Sequence, residues 1–145
     1  MYWTYCVEID INLLALNTIA LSDELKNTDK EASLLIENDQ KHHIESIDEL
    51  TTARYSFRFL KIMVTSWIED VKLKNDRFSD LCMLNIHRWI VSEDNKFYDP
   101  YLNKMMTKLM KIVFSRLLKA FKDHGVQIVF ANMNKIIINT HKYTL

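Results

Sequence analysis

The sequence predicts an α+β domain in which a small antiparallel sheet is packed by several helices. Three observations lead to this prediction. Aromatic and β-branched residues dominate residues 3–11, which is typical of a strand. Apolar residues recur at steps of three and four across most of residues 46–124, which indicates helices. Two apolar runs, 126–131 and 135–140, flank a short polar turn and so predict a hairpin.

The N-terminal third of the chain contains the first strand, a short helix and a polar stretch. The strand ends at Asp10, and the helix that follows carries apolar residues at helical spacing, among them Leu16 and Ile19. Residues 22–45 are mostly polar and charged. This composition predicts a loop or an insertion between the structured elements.

A long helix is predicted from the Ser46 region onwards, because Ser46 and Glu49 have the spacing of a capping box. One apolar stripe runs along it, and this stripe is either a core face or a partner groove. A second helix is predicted over 77–91. The stripe comprises Leu50, Ala53, Phe57, Leu60, Val64, Trp67 and Val71, and the second helix directs Phe78, Leu81, Cys82, Trp89 and Ile90 toward the core.

The last helix has the clearest boundaries in the sequence. Asp99 is a good N-cap, and Pro100 suits the first helical position because its missing N–H would be unpaired there. Gly125 suits the left-handed residue that ends a helix. The helix is therefore predicted to run from Pro100 to about His124. Its apolar stripe comprises Leu102, Met106, Leu109, Val113, Leu117 and Phe121.

Composition excludes several classes of protein. The chain has 145 residues, 48% of them hydrophobic and 26% charged, with a formal net charge of zero, which indicates a globular domain without strong nonspecific affinity for nucleic acid. With one glycine and one proline, it has no glycine-rich phosphate loop. Cys6 and Cys82 fit buried thiols in a reducing compartment. No membrane span or signal peptide is recognised, so a cytosolic or nuclear location is expected.

The hairpin turn carries two amides where a metal enzyme would carry two carboxylates. If the first strand joins the hairpin in one sheet, then Asp10, Asn132 and Asn134 lie at the same edge. Three Asp at these positions would form a two-metal site for phosphoryl transfer. Asn tolerates the left-handed backbone expected of a tight turn, so an ordinary Asn-rich hairpin is the alternative interpretation.

Two motifs resemble the palm of B-family DNA polymerases. Residues 10–17 (DINLLALN) match the position of the family's motif A, roughly D-x-x-S-L-Y-P-S, and residues 130–135 (FANMNK) match motif C, roughly Y-G-D-T-D-S. Residues 85–140 are similar, within this family, to the C-terminal, inactivated polymerase half of the DNA polymerase epsilon catalytic subunits. The resemblance implies that 1–145 is a partial, degenerate palm and fingers segment with a palm-like sheet.

The departures from the family pattern predict that this segment is not an enzyme. Asp10 is kept, but both motif C carboxylates are amides, and the motif B residues have no counterpart. Two dications 4 Å apart repel by roughly 16 kcal/mol at an effective dielectric constant of 20, and one carboxylate cannot offset this. Asp10, Asn132 and Asn134 are therefore expected to be degenerate metal-site positions, with no catalytic residue and no cofactor. The surviving Asp10 could instead cap the following helix.

The resemblance also implies a role and partners. The segment would scaffold a replicative DNA polymerase at the replication fork, in the nucleus, and would bind the replicative helicase and the polymerase accessory B-subunit. No membrane and no small-molecule substrate are expected. The first alternative is an active nucleotidyl transferase with atypical metal ligands around Asp10.

The second alternative is a DNA-binding module built on a row of lysines along the last helix. The row is interrupted only by Ser115, and it faces either a DNA backbone, an acidic partner or solvent. The row comprises Lys104, Lys108, Lys111, Lys119 and Lys122. The pair His42–His43 and the more distant His87 lack the further ligands of a metal site, and His87 is expected to be partly buried.

Overall fold

The computed structural model describes residues 5–36 and 49–141. It confirms the α+β fold, with helices predominating over one antiparallel sheet. In chain order the elements are β1 (Cys6–Asp10), α1 (Leu14–Ala20), α2 (Ser22–Thr28), α3 (Lys30–Ile36), α4 (Glu49–Lys74), α5 (Arg77–Val91), α6 (Pro100–Asp123), β2 (Gln127–Asn132) and β3 (Lys135–Asn139). No helix in the described ranges is long and apolar enough to span a membrane.

The sheet places its last strand in the middle. The strand order is β1-β3-β2, and both neighbours run antiparallel to β3. The ladder between β2 and β3 is regular except at a bulge between Ile128 and Phe130. Ile136 of β3 is fully buried, whereas Cys6 of β1 is exposed, so the expectation of a buried thiol is wrong for Cys6. This order brings the end of β1 and the β2–β3 turn to the same end of the sheet.

The hydrophobic core lies among the helices. The short helix α1 packs against α4, α5 and α6, and it buries Leu16 and Ile19 between them. Trp67 of α4 meets Trp89 of α5 edge to face, with ring centroids 6.4 Å apart. Phe97, in the loop after α5, stacks on Trp89 at 5.9 Å. Core and aromatic contacts together tie the long helices into one layer.

Helix α4 buries the stripe that its periodicity predicts. Ala53, Phe57, Leu60 and Val64 are buried, and Trp67 and Val71 pack partly against the core, so the described part of the stripe is a core face. The side chain of Leu50 and the Ser46 end of the capping box lie outside the described residues. The opposite side of α4 is also apolar, because Tyr55, Phe59, Ile62 and Leu73 are exposed there.

Helix α5 has the predicted bounds but a different buried side. Cys82 and Ile90 are buried as expected, whereas the prediction that Phe78 and Leu81 face the core is wrong, since they are 71% and 57% exposed. The buried side runs instead through Ser79, Met83 and Ile86. The carboxylate of Asp76 accepts hydrogen bonds from Ser79 and so caps this helix while turning Ser79 inward.

The prediction of a loop over 22–45 is wrong for residues 22–36, which form α2 and α3. Leu25 and Ala32 of these helices are buried in the core, and Leu35 and Ile36 pack against it. Asp29 links them to the rest of the fold, because it accepts the N–H groups of Glu31 and Ala32 and pairs with Arg116 of α6 at 3.1 Å. Tertiary contacts therefore stabilise helices that composition did not indicate. Residues 37–45 lie outside the described ranges.

Helix α6 begins and ends as the sequence predicts. The Asp99 side chain accepts hydrogen bonds from the N–H groups of Tyr101 and Leu102, at 2.8 and 3.3 Å, and Pro100 is the first helical residue. Gly125 follows the helix with φ of +73°. The N–H of Val126 then donates to the carbonyl of Phe121, and the chain turns directly into β2.

Substituting Gly125 by alanine is expected to lower the free energy of unfolding by about 1 kcal/mol. A Cβ at this position would meet no atom within 4 Å, so the cost comes from the left-handed backbone alone. Asn tolerates this conformation better, and Gly125→Asn should therefore lose less than Gly125→Ala. Urea unfolding followed by circular dichroism measures both, and equal losses would contradict the backbone explanation.

Candidate functional site

The end of the sheet near the hairpin turn collects the positions that the resemblance singles out. Asp10, the last residue of β1, is directly opposite Lys135 of β3, and Lys135 is in turn opposite Asn132 of β2. Residues directly opposite in antiparallel strands project from the same face of a sheet. Asp10 and Asn132 therefore flank Lys135 on one face, two strand spacings apart.

Asn132 supports the turn through its side chain. Its Oδ1 atom accepts hydrogen bonds from the backbone N–H groups of Asn134 and Lys135, at 2.9 and 2.8 Å. Neither Met133 nor Asn134 has a positive φ, so the expectation of a left-handed turn is wrong. An Asn at position 132 is favoured because its amide oxygen closes an Asx turn.

Asn134 lies beside the first strand but faces a different space from Asp10. The N–H of Ile11 donates to the Asn134 carbonyl at 2.7 Å, which extends the ladder by one step. Asn134 and Ile11 line a cleft of about 180 Å³ between the turn, α1 and α5, together with His87 and Met133. Asp10 and Asn132 are not part of this lining. His87 is exposed, so the expectation that it is partly buried is wrong.

Lys135 is the residue of this region that sequence reasoning missed. Its ammonium group forms an ion pair with the Glu8 carboxylate, which lies two residues before Asp10 and on the same face. The hydrogen bond from Lys135 to Glu8 and the nearby charges of Glu8 and Asp10 raise the pKa of Lys135. The cationic side chain of Lys135 is thus at the strand position between Asp10 and Asn132. The signal was present in the sequence, since a lysine replaces the small serine of the motif C pattern.

The idea that Asp10 caps helix α1 is wrong. The N-cap position is Leu13, which has a left-handed backbone with φ of 59° and provides no side-chain hydrogen bond. The side-chain hydrogen bonds near the start of α1 come from within the helix, where Asn17 donates to the Leu13 carbonyl at 3.1 Å and Thr18 to the Leu14 carbonyl at 2.8 Å. Asp10 is exposed at the end of β1.

The residues at the sheet end do not fit a pair of divalent metal ions. Mg²⁺ prefers hard, anionic oxygen ligands, and this end provides one carboxylate at Asp10, one at Glu8 that is paired with Lys135, and two neutral amides. The Asn132 oxygen already accepts two backbone hydrogen bonds. Across residues 5–36 and 49–141, no three His, Cys, Asp or Glu side chains are grouped closely enough to hold a metal ion.

The lysine row forms a second candidate site on the far side of α6. All five lysines are exposed, and Lys108, Lys111 and Lys119 line a surface groove of about 410 Å³ between α6 and the start of α3. Arg116 closes the groove wall, because it donates to Thr28 at 2.6 Å and pairs with Asp29. Asp29 and Glu31 provide the acidic edge.

Comparison with known proteins identifies the family to which this chain belongs. The whole chain, residues 1–145, matches the family model described as "Domain of unknown function (DUF1744)". The DNA polymerase epsilon catalytic subunit of Debaryomyces hansenii is 32% identical over 148 residues, covering 100% of this chain and 7% of the relative. The corresponding protein of Arabidopsis thaliana is 29% identical over 150 residues, covering 99% and 7%. That of Dictyostelium discoideum is 30% identical over 189 residues, covering 97% and 8%.

The relatives are named as catalytic subunits of DNA polymerase epsilon. The match extends over nearly the whole chain, whereas the chain spans only about 7% of the length of these relatives. The polymerase to which their names refer is thus much longer than this chain. The chain belongs to the DUF1744 family, represented by a segment of DNA polymerase epsilon catalytic subunits.

Proposed function

We propose that this chain is a noncatalytic structural segment of a replicative DNA polymerase, from the inactivated C-terminal polymerase half of its catalytic subunit. The observation that carries the proposal is the sheet end, where amides stand at the two motif C positions that would have to be anionic for metal-dependent chemistry and a lysine lies opposite Asp10. Asn132 keeps the turn geometry without adding charge. The hairpin is retained for its shape.

A structural role also accounts for the apolar side of α4 that faces away from the core. Tyr55, Phe59, Ile62 and Leu73 are each more than half exposed, and we call them the outer stripe. Tyr55, Phe59 and Ile62 follow one another at helical steps, and exposed apolar side chains that adjoin one another mark interaction surfaces. The relatives that this chain matches are many times longer, and we assign the remaining polypeptide of such a longer protein as the occupant of the outer stripe.

The partners of the proposed scaffold follow from the resemblance. They are the replicative helicase and the polymerase accessory B-subunit, and the location is the nucleus. The segment would bind its partners through the shape of its surface, because the shared core holds α4, α5 and α6 rigid. The competing proposal, an active nucleotidyl transferase centred on Asp10, is disfavoured by the Lys135 ammonium beside that carboxylate.

The test uses the complete catalytic subunit with its accessory subunit. Asp10→Asn should leave the rate of primer extension unchanged, because no reaction passes through this segment. Phe59→Asp/Ile62→Asp should disrupt the packing of the segment against the rest of the subunit and so reduce copurification of the accessory subunit. Primer extension should again be retained. Thr65→Asp/Lys72→Gln, exposed on another side of α4, makes the same change in formal charge and is the matched control. Loss of primer extension in Asp10→Asn would refute the noncatalytic role.

A further inference from the structure

Helix α6 carries a large excess of positive charge. Helix α6 carries six basic residues and one acidic residue, so its formal charge is +5 in a chain whose formal net charge is zero. The remaining residues therefore carry a compensating negative charge. Such segregation produces a strong local field even when the whole protein is neutral.

Five of the basic residues form a single straight row. Lys104, Lys108, Lys111, Lys119 and Lys122 follow one another at helical steps, with Ser115 at the gap, and all are exposed. The row extends for about 27 Å at 1.5 Å per residue. No carboxylate in the described part of the chain lies within ion-pair distance of these ammonium groups. Neighbouring like charges on a helix destabilise it unless an anion is bound.

The groove beside the row defines how an anion would approach. Lys108, Lys111 and Lys119 line it on the α6 side, together with Arg116. On the opposite side stand Asp29, which is neutralised by Arg116, and Glu31, which is exposed. Cations thus exceed carboxylates in the lining, and the Asp29–Arg116 pair fixes the spacing between α3 and α6.

The composition of the row favours a phosphate backbone over nucleotide bases. Proteins that hold single strands place aromatic side chains between the cations for stacking. No aromatic residue occupies a position of the row, in which Ser115 is the one residue that is not lysine, and Phe114 and Phe121 of the same stretch are half-buried. Duplex DNA carries one negative charge per about 1.7 Å of its axis when both strands are counted, so backbone phosphates lie within reach along the whole length of the row. A stiff duplex suits a straight helix.

We propose that the lysine row of α6 and its groove bind the phosphate backbone of duplex DNA without reading its sequence. This goes beyond the structural role, because it gives the segment its own contact with nucleic acid. The row positions the duplex along the α6 axis, and the α3 edge limits how far the backbone enters the groove. Binding is electrostatic, with counterion release as its driving force.

The test measures fluorescence anisotropy of a labelled 20-base-pair duplex with the 145-residue chain, from low to moderate salt. The logarithm of affinity should fall linearly with the logarithm of salt, with a slope of up to about −4.5 for five contacts. Lys108→Glu/Lys111→Glu should reduce that slope by about two units and weaken binding at 0.1 M salt by at least about tenfold. Glu is a good helix former and adds a favourable pair with Lys104, so α6 should persist.

The control has the same change in formal charge. Lys72→Glu/Lys96→Glu alters two exposed lysines outside α6 and should leave the slope nearly unchanged. Equal weakening in both variants would show a general charge effect and overturn the assignment. So would absence of duplex binding by the parent chain. Capture of poly-glutamate through Lys108 and Lys111 without duplex binding would also overturn it, in favour of an acidic protein surface.

Discussion

Replacing Phe57 by alanine should lower the free energy of unfolding by about 3–5 kcal/mol, a large part of the stability of a domain this size. Phe57 is 2% exposed and lies in the core with Leu60 and Val64 of the same helix. The substitution removes most of a large apolar side chain and leaves a cavity that the surrounding helices fill only partly. Urea unfolding followed by circular dichroism measures the effect.

Phe59 provides the matched control for this prediction. It is two residues further along α4 and 60% exposed, so Phe59→Ala should change the stability of the isolated chain by no more than about 0.5 kcal/mol. The same chemical change is thus expected to lower the stability strongly on the core side of the helix and hardly at all on its exposed side. A loss at Phe59 comparable with the loss at Phe57 would contradict the assignment of the outer stripe to the surface of this segment.

The contrast between these two sides explains why the proposal requires a larger assembly. In the isolated chain, the outer stripe contributes little to folding. In the complete subunit, the same residues are proposed to contact the remaining polypeptide. A substitution that is neutral in the segment and harmful in the complete subunit is the pattern expected of a scaffold surface.

Local signals in the sequence were sufficient to predict the long helices. The Asp99–Pro100 start and the Gly125 end of α6 are each determined by residues whose backbone or side chain suits that position. The core stripe of α4 followed from a spacing of three and four. The hairpin followed from two apolar runs around a polar pair. In each case the physical cause lies within a few residues of the element.

Features that depend on distant residues were not predictable in the same way. Helices α2 and α3 are short and polar, and their contacts include the Arg116 side chain, more than eighty residues along the chain. The outward orientation of Phe78 depends on how α5 packs against α1 and α4, which periodicity alone does not determine. The opposition of Lys135 to Asp10 required the strand order.

The candidate site was predicted at the level of position and only partly at the level of chemistry. Motif spacing correctly brought Asp10 to the same end of the sheet as the hairpin turn. It did not show that the Asn132 oxygen is used by the turn itself, nor that Lys135 pairs with Glu8. Both interactions oppose metal binding. The Asn132 hydrogen bonds are local to the turn, whereas the Lys135–Glu8 pair depends on the pairing of β1 with β3.

Restoring acidity to the sheet end should restore metal binding. In Asn132→Asp/Asn134→Asp/Lys135→Ser, the carboxylate at position 132 joins Asp10 on one face, a second is added at the turn and the ammonium group is removed, so the sheet end becomes anionic enough for a divalent ion. The variant Asn132→Asp/Asn134→Asp, which keeps Lys135, should bind more weakly because the cation remains beside Asp10. The Asx turn should persist in both, since a carboxylate oxygen accepts the same backbone hydrogen bonds.

Calorimetric titration of the parent chain and these two variants with Mn²⁺ and Mg²⁺ is the most direct measurement of the central claim. A degenerate metal site predicts no binding heat for the parent, weak binding for the double variant and clear binding for the triple variant. Sub-millimolar binding by the parent, lost in Asp10→Asn, would contradict the noncatalytic account. Failure of a folded triple variant to bind either ion would contradict the placement of a former metal site at this end of the sheet.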